Sequence, residues 1–301
     1  MARVRFLTLL SIICTLAFET LGQSTNPKEI FLYFSPTGSK GFIRELSKDQ
    51  VEITIDGKSA ELLDLNEVSE PAMIGFLIDT SASVKNTILK DPSFFTGLQT
   101  FFDNLGIGNK YFLSSLADGE SIFTDDPNLI KQGILDVREK GSPGGNTRLY
   151  DAMSENLDRF SGSSFQRNIL IIISDGQDNV SKIHFEDLRS KFRKSDIECH
   201  YINVFTTGRS RDQFVIQSEA EARMGELMTK TGGGTHNLAK PEHAVMTFRV
   251  LAYQIRNCYR ARIFAKTDSS KQKFRNVKVT IKSPDRRDNN VRISARHQIY
   301  L

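Results

Sequence analysis

Ile74-Gly75-Phe76-Leu77-Ile78-Asp79-Thr80-Ser81-Ala82-Ser83 decides the fold. The first five residues show no polar alternation, which suits a strand buried on both faces of a parallel sheet. They end abruptly in a carboxylate and a run of hydroxyls. Ile169 to Ile173 repeats the pattern and ends at Ser174-Asp175-Gly176. Helical periodicity predicts helices at Val84 to Leu105 with a break near Pro92, Asn128 to Arg138, Leu149 to Phe160, Phe185 to Lys194 and Ser218 to Lys230. A last helix runs from Pro241 to about Asn257, and a strand from Ile197 to Phe205. Proline at a first helical position loses no hydrogen bond. Strands alternating with helices from Pro71 to Asn257 predict a doubly wound, mostly parallel α/β domain.

Outside residues 71–257 the pattern changes to β. Upstream, in residues 24–70, short runs at Glu29 to Phe34, Val51 to Ile55 and Ala60 to Leu65 are punctuated by turn signals at Thr37-Gly38-Ser39 and Asp56-Gly57. Val51, Ile53 and Ile55 alternate with Glu52 and Thr54, as in a half-buried strand, and Asp56-Gly57 is a hairpin signal. Downstream, in residues 258–301, Tyr259 to Ala265, Phe274 to Ile281 and Val291 to Tyr300 read the same way, separated by Thr267 to Ser270 and Pro284 to Arg287. Three strands are too few for independent stability, so the two end segments are expected to pair into one small β domain carrying the α/β domain as an insertion.

At 301 residues, 39% hydrophobic and 25% charged, the composition is that of a globular protein of about two domains. Forty Lys and Arg against 36 Asp and Glu leave +4, too near balance for a molecule built around nucleic acid. Lys240 to Leu301 nevertheless holds 15 basic and 4 acidic residues. Arg286-Arg287 and the cations of Lys271 to Lys282 are candidates for a polyanion grip, against the simpler reading of a solvated sheet face with lysines that discourage edge pairing. Arg3 and Arg5, the apolar stretch Phe6 to Phe18 and the small residues up to Gly22 have the order of a secretory signal peptide, residues 1–22. Such a stretch rises only about 20 Å as a helix, short of a membrane span. A lipidated Cys14 is disfavoured by Ile13 before it. The mature chain is therefore expected to be secreted or periplasmic, without a stable membrane span. There Cys199 and Cys258 could bridge or stay as two buried thiols.

Ligands of open α/β sheets bind beyond the carboxyl ends of the strands. Asp79, Ser81 and Ser83 fall there, with Asp175 and with Thr147 of the loop Gly144-Gly145-Asn146-Thr147. Together they offer three hydroxyls and two carboxylates, hard oxygens that suit Mg²⁺, Mn²⁺ or Ca²⁺. Capping of a helix by Asp or Ser would explain one such position and not five. Asp151 and Asp178 lie near these loops, either as groups orienting the ligands or as ordinary surface charges. Gly232-Gly233-Gly234 resembles backbone accommodation before a strand, since no phosphate-loop lysine follows. The five histidines are scattered, and neither H-E-x-x-H nor G-x-S-x-G occurs.

The D-x-S-x-S run Asp79, Ser81, Ser83, with Thr147 and Asp175-Gly176, resembles the metal-ion-dependent adhesion site of von Willebrand factor type A domains. Val51 to Gly57, Thr147 to Ala152 and Val291 to Arg296 are similar to flanks of exported acidobacterial proteins related to that family. The terminal Arg296-His297-Gln298-Ile299-Tyr300 departs from that family's Arg-x-Gly-Tyr. The resemblance implies that Ser81, Ser83 and Thr147 bind the ion directly or through water while Asp79 and Asp175 hold the waters. Neutral hydroxyls leave the ion's charge incompletely offset, so an acidic side chain of another protein can complete the shell. The resemblance thus implies a non-catalytic, Mg²⁺-dependent protein-binding module for cell adhesion. A metal-dependent hydrolase is the weaker alternative, because Ser81 stands where a phosphotransferase D-x-D loop has its second carboxylate; a polyanion-binding envelope protein is the other.

Overall fold

The computed structural model describes residues 25–68, 70–116, 121–140, 146–204, 211–268, 272–282 and 291–301. The leader at residues 1–22 with Cys14, the glycines Gly144 and Gly145, and Arg286-Arg287 lie outside the described residues. The chain begins with β1 (Thr25–Gly38), β2 (Gly41–Phe42), β3 (Val51–Ile55), β4 (Lys58–Ser59) and β5 (Glu61–Glu67). It continues through β6 (Met73–Ile78), α1 (Ala82–Lys85), α2 (Pro92–Leu105), β7 (Lys110–Ser115), β8 (Ile122–Thr124), α3 (Pro127–Lys140), α4 (Leu149–Asp158) and β9 (Asn168–Ser174). Then come α5 (Phe185–Lys194), β10 (Glu198–Asn203), α6 (Arg211–Thr231), β11 (Thr235–Asn237), α7 (Ala244–Arg256), β12 (Tyr259–Asp268), β13 (Phe274–Ile281), β14 (Arg292–Ala295) and β15 (Gln298–Tyr300).

The fold is α/β with several sheets. Its central sheet has six strands in the order β11-β10-β9-β6-β7-β8, parallel except for β8 at one edge. The two apolar runs are its middle strands, β6 and β9. Ile74, Phe76, Ile78, Ile169, Ile171 and Ile173 pack with Phe94, Leu98 and Phe101 of α2 and Phe248 and Leu251 of α7. Leu77, Leu170 and Ile172 project the other way, onto Met153 of α4, Leu188 and Phe192 of α5, and Met224 and Leu227 of α6. Apolar residues are needed on both faces because both faces are covered, which is why neither strand alternates.

The strand order reverses between β9 and β6, so the loops that leave their carboxyl ends are side by side. That is the topological switch point where ligands collect in open sheets.

The chain's two ends meet in two further sheets. Ile30 to Phe34 of β1 pair with Tyr259 to Ile263 of β12, whose other edge takes β5. Phe34 to Thr37 pair with β14. In the second sheet β13 lies between β3 and β15. Leu32, Phe34, Tyr259 and Ile263 from one sheet and Ile53, Val277, Val279 and Ile299 from the other share one core. At the β3–β4 turn Asp56 and Gly57 have φ of 48° and 78°, the left-handed pair of a tight hairpin.

Differences from the sequence expectations have local causes. A bridge between Cys199 and Cys258 is not formed: both are free and buried. Cys199 sits within β10 with its Sγ donating to Ile197 O, and Cys258 follows α7 with its Sγ donating to Ile255 O. Burial pushes the Cys258 thiol up to about 12. The single strand expected over Val291 to Tyr300 is two, β14 and β15, in different sheets. At the break Arg296 turns inward, donating to Arg193 O and Gln298 O. Among the described residues no helix is long and apolar enough to cross a membrane.

Candidate metal centre

Asp79 leaves β6 with its N–H still bonded to Ile173 O of the neighbouring strand, 2.9 Å away. Its carboxylate is fully buried. One oxygen accepts from Ser81 N at 2.8 Å, the other from Ser174 Oγ at 2.6 Å. The chain is thereby bent so that Ser81 and Ser83 present their hydroxyls together, 3.1 Å apart. Ser83 Oγ donates to Asp175 Oδ2 at 2.8 Å. Asp175 is itself 3% exposed, anchored by Gln177 N to Oδ1 at 3.1 Å and by Gln217 Nε2 to its carbonyl at 2.9 Å. Ser81 occupies the N-cap position of α1 without a side-chain capping bond, so capping does not account for its hydroxyl.

Thr147 is buried and reaches the same place from the loop before α4. Its N–H donates to Asn179 Oδ1 at 2.8 Å, and its carbonyl accepts from Asn179 N at 3.0 Å. Ser83, Thr147 and Asp175 line one cavity of about 320 Å³, with Tyr150, Ile216, Ala220 and Arg223 among its other walls. Of the five residues singled out in the sequence, Asp79, Ser81, Ser83 and Asp175 thus form a continuous chain of contacts, and Thr147 faces the cavity into which that chain opens.

Asp151 and Asp178 are not idle surface charges. Asp178 Oδ1 accepts from Tyr150 N at 3.2 Å, while Asp151 Oδ1 accepts from Lys182 N and Ile183 N, both at 3.0 Å. Ser181 Oγ accepts from Asp151 N at 3.0 Å. These bonds lash the loop after β9 to the start of α4 and so fix Thr147 relative to Asp175. Asn179, Ser181, Ser174 and Gln217 do comparable positioning work that sequence reasoning missed. Each contact is between loops or strands far apart in the chain, and no local spacing marks it.

Burial pushes the Asp79 carboxyl up to about 6; the charge of Asp175 adds to this, against the bonds from Ser174 and Ser81. A cation beside the pair would offset that cost. Three hydroxyls and two carboxylates brought to one place are all hard oxygens, so the chemistry of this donor set fits a hard divalent ion. Among the described residues no group of three or more His, Cys, Asp and Glu is placed to hold a metal. The candidate set instead mixes two carboxylates with three hydroxyls.

Six strands with one antiparallel edge, helices on both faces and this loop set at the switch point are an arrangement similar to that of von Willebrand factor type A domains. Solved structures similar to this chain include a von Willebrand factor type A protein from Catenulispora acidiphila, at 8% identity over 93% of this chain and 74% of that one, TM-score 0.47. An aerotolerance-related membrane protein from Bacteroides fragilis matches at 14% identity over 61% of this chain and 98% of its own, TM-score 0.44. The manganese-loaded TRAP protein of Plasmodium vivax matches at 14% identity over 77% and 96% respectively, TM-score 0.43. No protein-family model matches the sequence, and no curated protein does.

Proposed function

We propose that this chain is an exported, non-catalytic adhesion module, a doubly wound domain inserted in a small β domain, acting in the periplasm or outside the cell. Its metal-ion-dependent adhesion site takes Mg²⁺, with Mn²⁺ or Ca²⁺ as substitutes, through Ser81, Ser83, Thr147, Asp79 and Asp175. The observation that carries the reading is the contact chain from Asp79 through Ser81 and Ser83 to Asp175, opening on the cavity that Thr147 lines. Such a site holds a divalent charge with few formal negative charges around it, and the bound ion supplies Lewis acidity toward an incoming carboxylate. The protein's own part is to bury Asp79 and Asp175, to orient the hydroxyls, and to leave one side open to a partner's acidic side chain.

Calorimetric titration of Mg²⁺ and Mn²⁺ into the mature protein, Asp79→Ala and Ser81→Ala tests this. The wild type should bind, and each variant should lose at least about tenfold in affinity while keeping its circular dichroism. Capture of envelope proteins by the wild type should then disappear with chelator. Equal titration of the three proteins would remove the assigned ligands.

A further inference from the structure

The walls of the cavity beyond the candidate metal ligands have a chemistry of their own. α6 passes beside the site, tied to it by the bond from Gln217 to the Asp175 carbonyl. Its inner residues Met224, Leu227 and Met228 serve the core, so Val215 and Ile216 are not needed there. They are 52% and 55% exposed, and Ile216 lines the cavity together with Ser83, Thr147 and Asp175. Farther along the same wall stands Arg223. Its guanidinium lies over the Phe185 ring, 5.5 Å from the centroid, and donates to Tyr150 Oη at 3.4 Å. Among the described residues it forms no ion pair with a carboxylate. Glu219 on that wall, through its charge, helps hold the Arg223 pKa above its ordinary value, after the bond to Tyr150 and the charge of that ring's hydroxyl.

Seven helical positions separate Ile216 from Arg223, about 10 Å along the axis. An extended peptide covers that distance in about three residues. Resting on the adhesion-site reading above, we propose that the partner segment carries three features. Its metal-seeking carboxylate is followed by a large apolar side chain that seats on Val215 and Ile216, and a second carboxylate about three residues beyond that side chain meets Arg223. Charge complementarity selects the occupant: a divalent centre, an exposed apolar pair and a pinned guanidinium about 10 Å along the helix from that pair match an acidic-apolar-acidic stretch of extended chain.

Three synthetic peptides immobilised on a sensor surface test this against Mn²⁺-loaded full-length protein. The first carries one Glu in a Gly and Ser background, the second adds Leu two residues on, and the third adds a second Glu three residues beyond the Leu. Wild type should bind the second peptide about tenfold more tightly than the first, and the third several-fold more tightly again at low salt. Val215→Ser with Ile216→Ser should erase the gain from Leu, and Arg223→Gln should erase the gain from the second Glu, with Mn²⁺ titration unchanged in both. All these side chains are at the surface, so the variants should fold. Equal binding of the three peptides by wild type that still takes up Mn²⁺, or gains that survive in the matching variant, overturns this proposal alone. Failure of wild type to take up Mn²⁺ defeats it together with the reading on which it rests.

Discussion

Asp79 has no exposed surface, and its two oxygens are each bonded within the fold. Its folded carboxyl titrates near 6 against 3.8 for the free group, because burial disfavours the charge. Between those values the folded chain holds a proton that the unfolded chain has released. The contribution of Asp79 therefore favours folding below about pH 4 and is lost as pH rises towards 6. In chelator, the urea-unfolding free energy of the wild type relative to Asp79→Asn should drop across this window, by about 3 kcal/mol at most. Saturating Mg²⁺ or Mn²⁺ should flatten the difference, since an ion beside Asp79 and Asp175 stabilises the ionised form. A slope unaltered by metal would place the ion elsewhere. At this scale the contacts among Asp79, Ser81 and Ser83 were legible because the three share one tight loop. The supports of Thr147 and Asp175 were not: Asn179 contacts Thr147 across 32 positions and Gln217 reaches Asp175 across 42.

Between elements, a buried polar chain ties the central sheet together away from the candidate metal centre. Arg167 donates to Glu198 Oε2 at 2.7 Å, and Glu198 Oε1 lies 2.8 Å from His200 Nε2. His200 Nδ1 is in turn 3.3 Å from Nε2 of His236 on the edge strand β11. Scattered in sequence, the two histidines become neighbours only because β10 and β11 pair in parallel. Burial, with the nearby His200, pushes His236 down to about 3. Burial alone would raise Glu198, but Arg167 and His200 override it and hold the carboxyl at about 2.

Both depressed values give stability that is present at neutral pH and lost in acid. The His236 contribution fades as pH falls below 6.5, and that of Glu198 below 4.5. From pH 7 to pH 5 the wild type should lose about 2 kcal/mol more than His236→Gln, read from urea midpoints at each pH. Parallel losses in the two proteins would show that His236 takes up its proton as readily in the fold as in the unfolded chain. Helix α5 and strand β3 matched their expected bounds because their patterns are uninterrupted. Strand β7 was not legible, since Lys110, Ser114 and Ser115 break its apolar run, although five of its six residues are buried. Likewise β14 and β15 read as one strand until the inward turn of Arg296 separates them.

For the molecule as a whole, the ends of the chain depend on each other more than on the sheet between them. β1 takes β12 on one edge and β14 on the other, β5 pairs with β12, and β3 pairs with β13. Every long strand before residue 70 thus pairs with a strand after residue 257. The links to the helices are made in several places: Ser35 Oγ donates to Asn257 O at 2.6 Å, Arg44 donates to Asn257 Oδ1 at 2.8 Å, Tyr253 Oη accepts from Phe42 N at 2.9 Å, Ser294 Oγ donates to Gly232 O at 3.2 Å, and Arg296 donates to Arg193 O at 2.9 Å. By contrast β6 and β9 are covered on both faces by apolar side chains from α2, α4, α5, α6 and α7, none of which belongs to the ends. Deletion of residues 258–301 should therefore strip amide-exchange protection from residues 28–67, whose strands lose their partners, and leave residues 73–78 and 169–174 protected. Divalent-ion binding should persist in the deletion, because Asp79, Ser83 and Asp175 are held by β6, β9 and Gln217 of α6. Protection that survives in residues 28–67 would mean that the first strands fold without the last. Simultaneous loss in β6 and β9 would mean that the two cores form one cooperative unit, with the links between them strong enough to couple their unfolding.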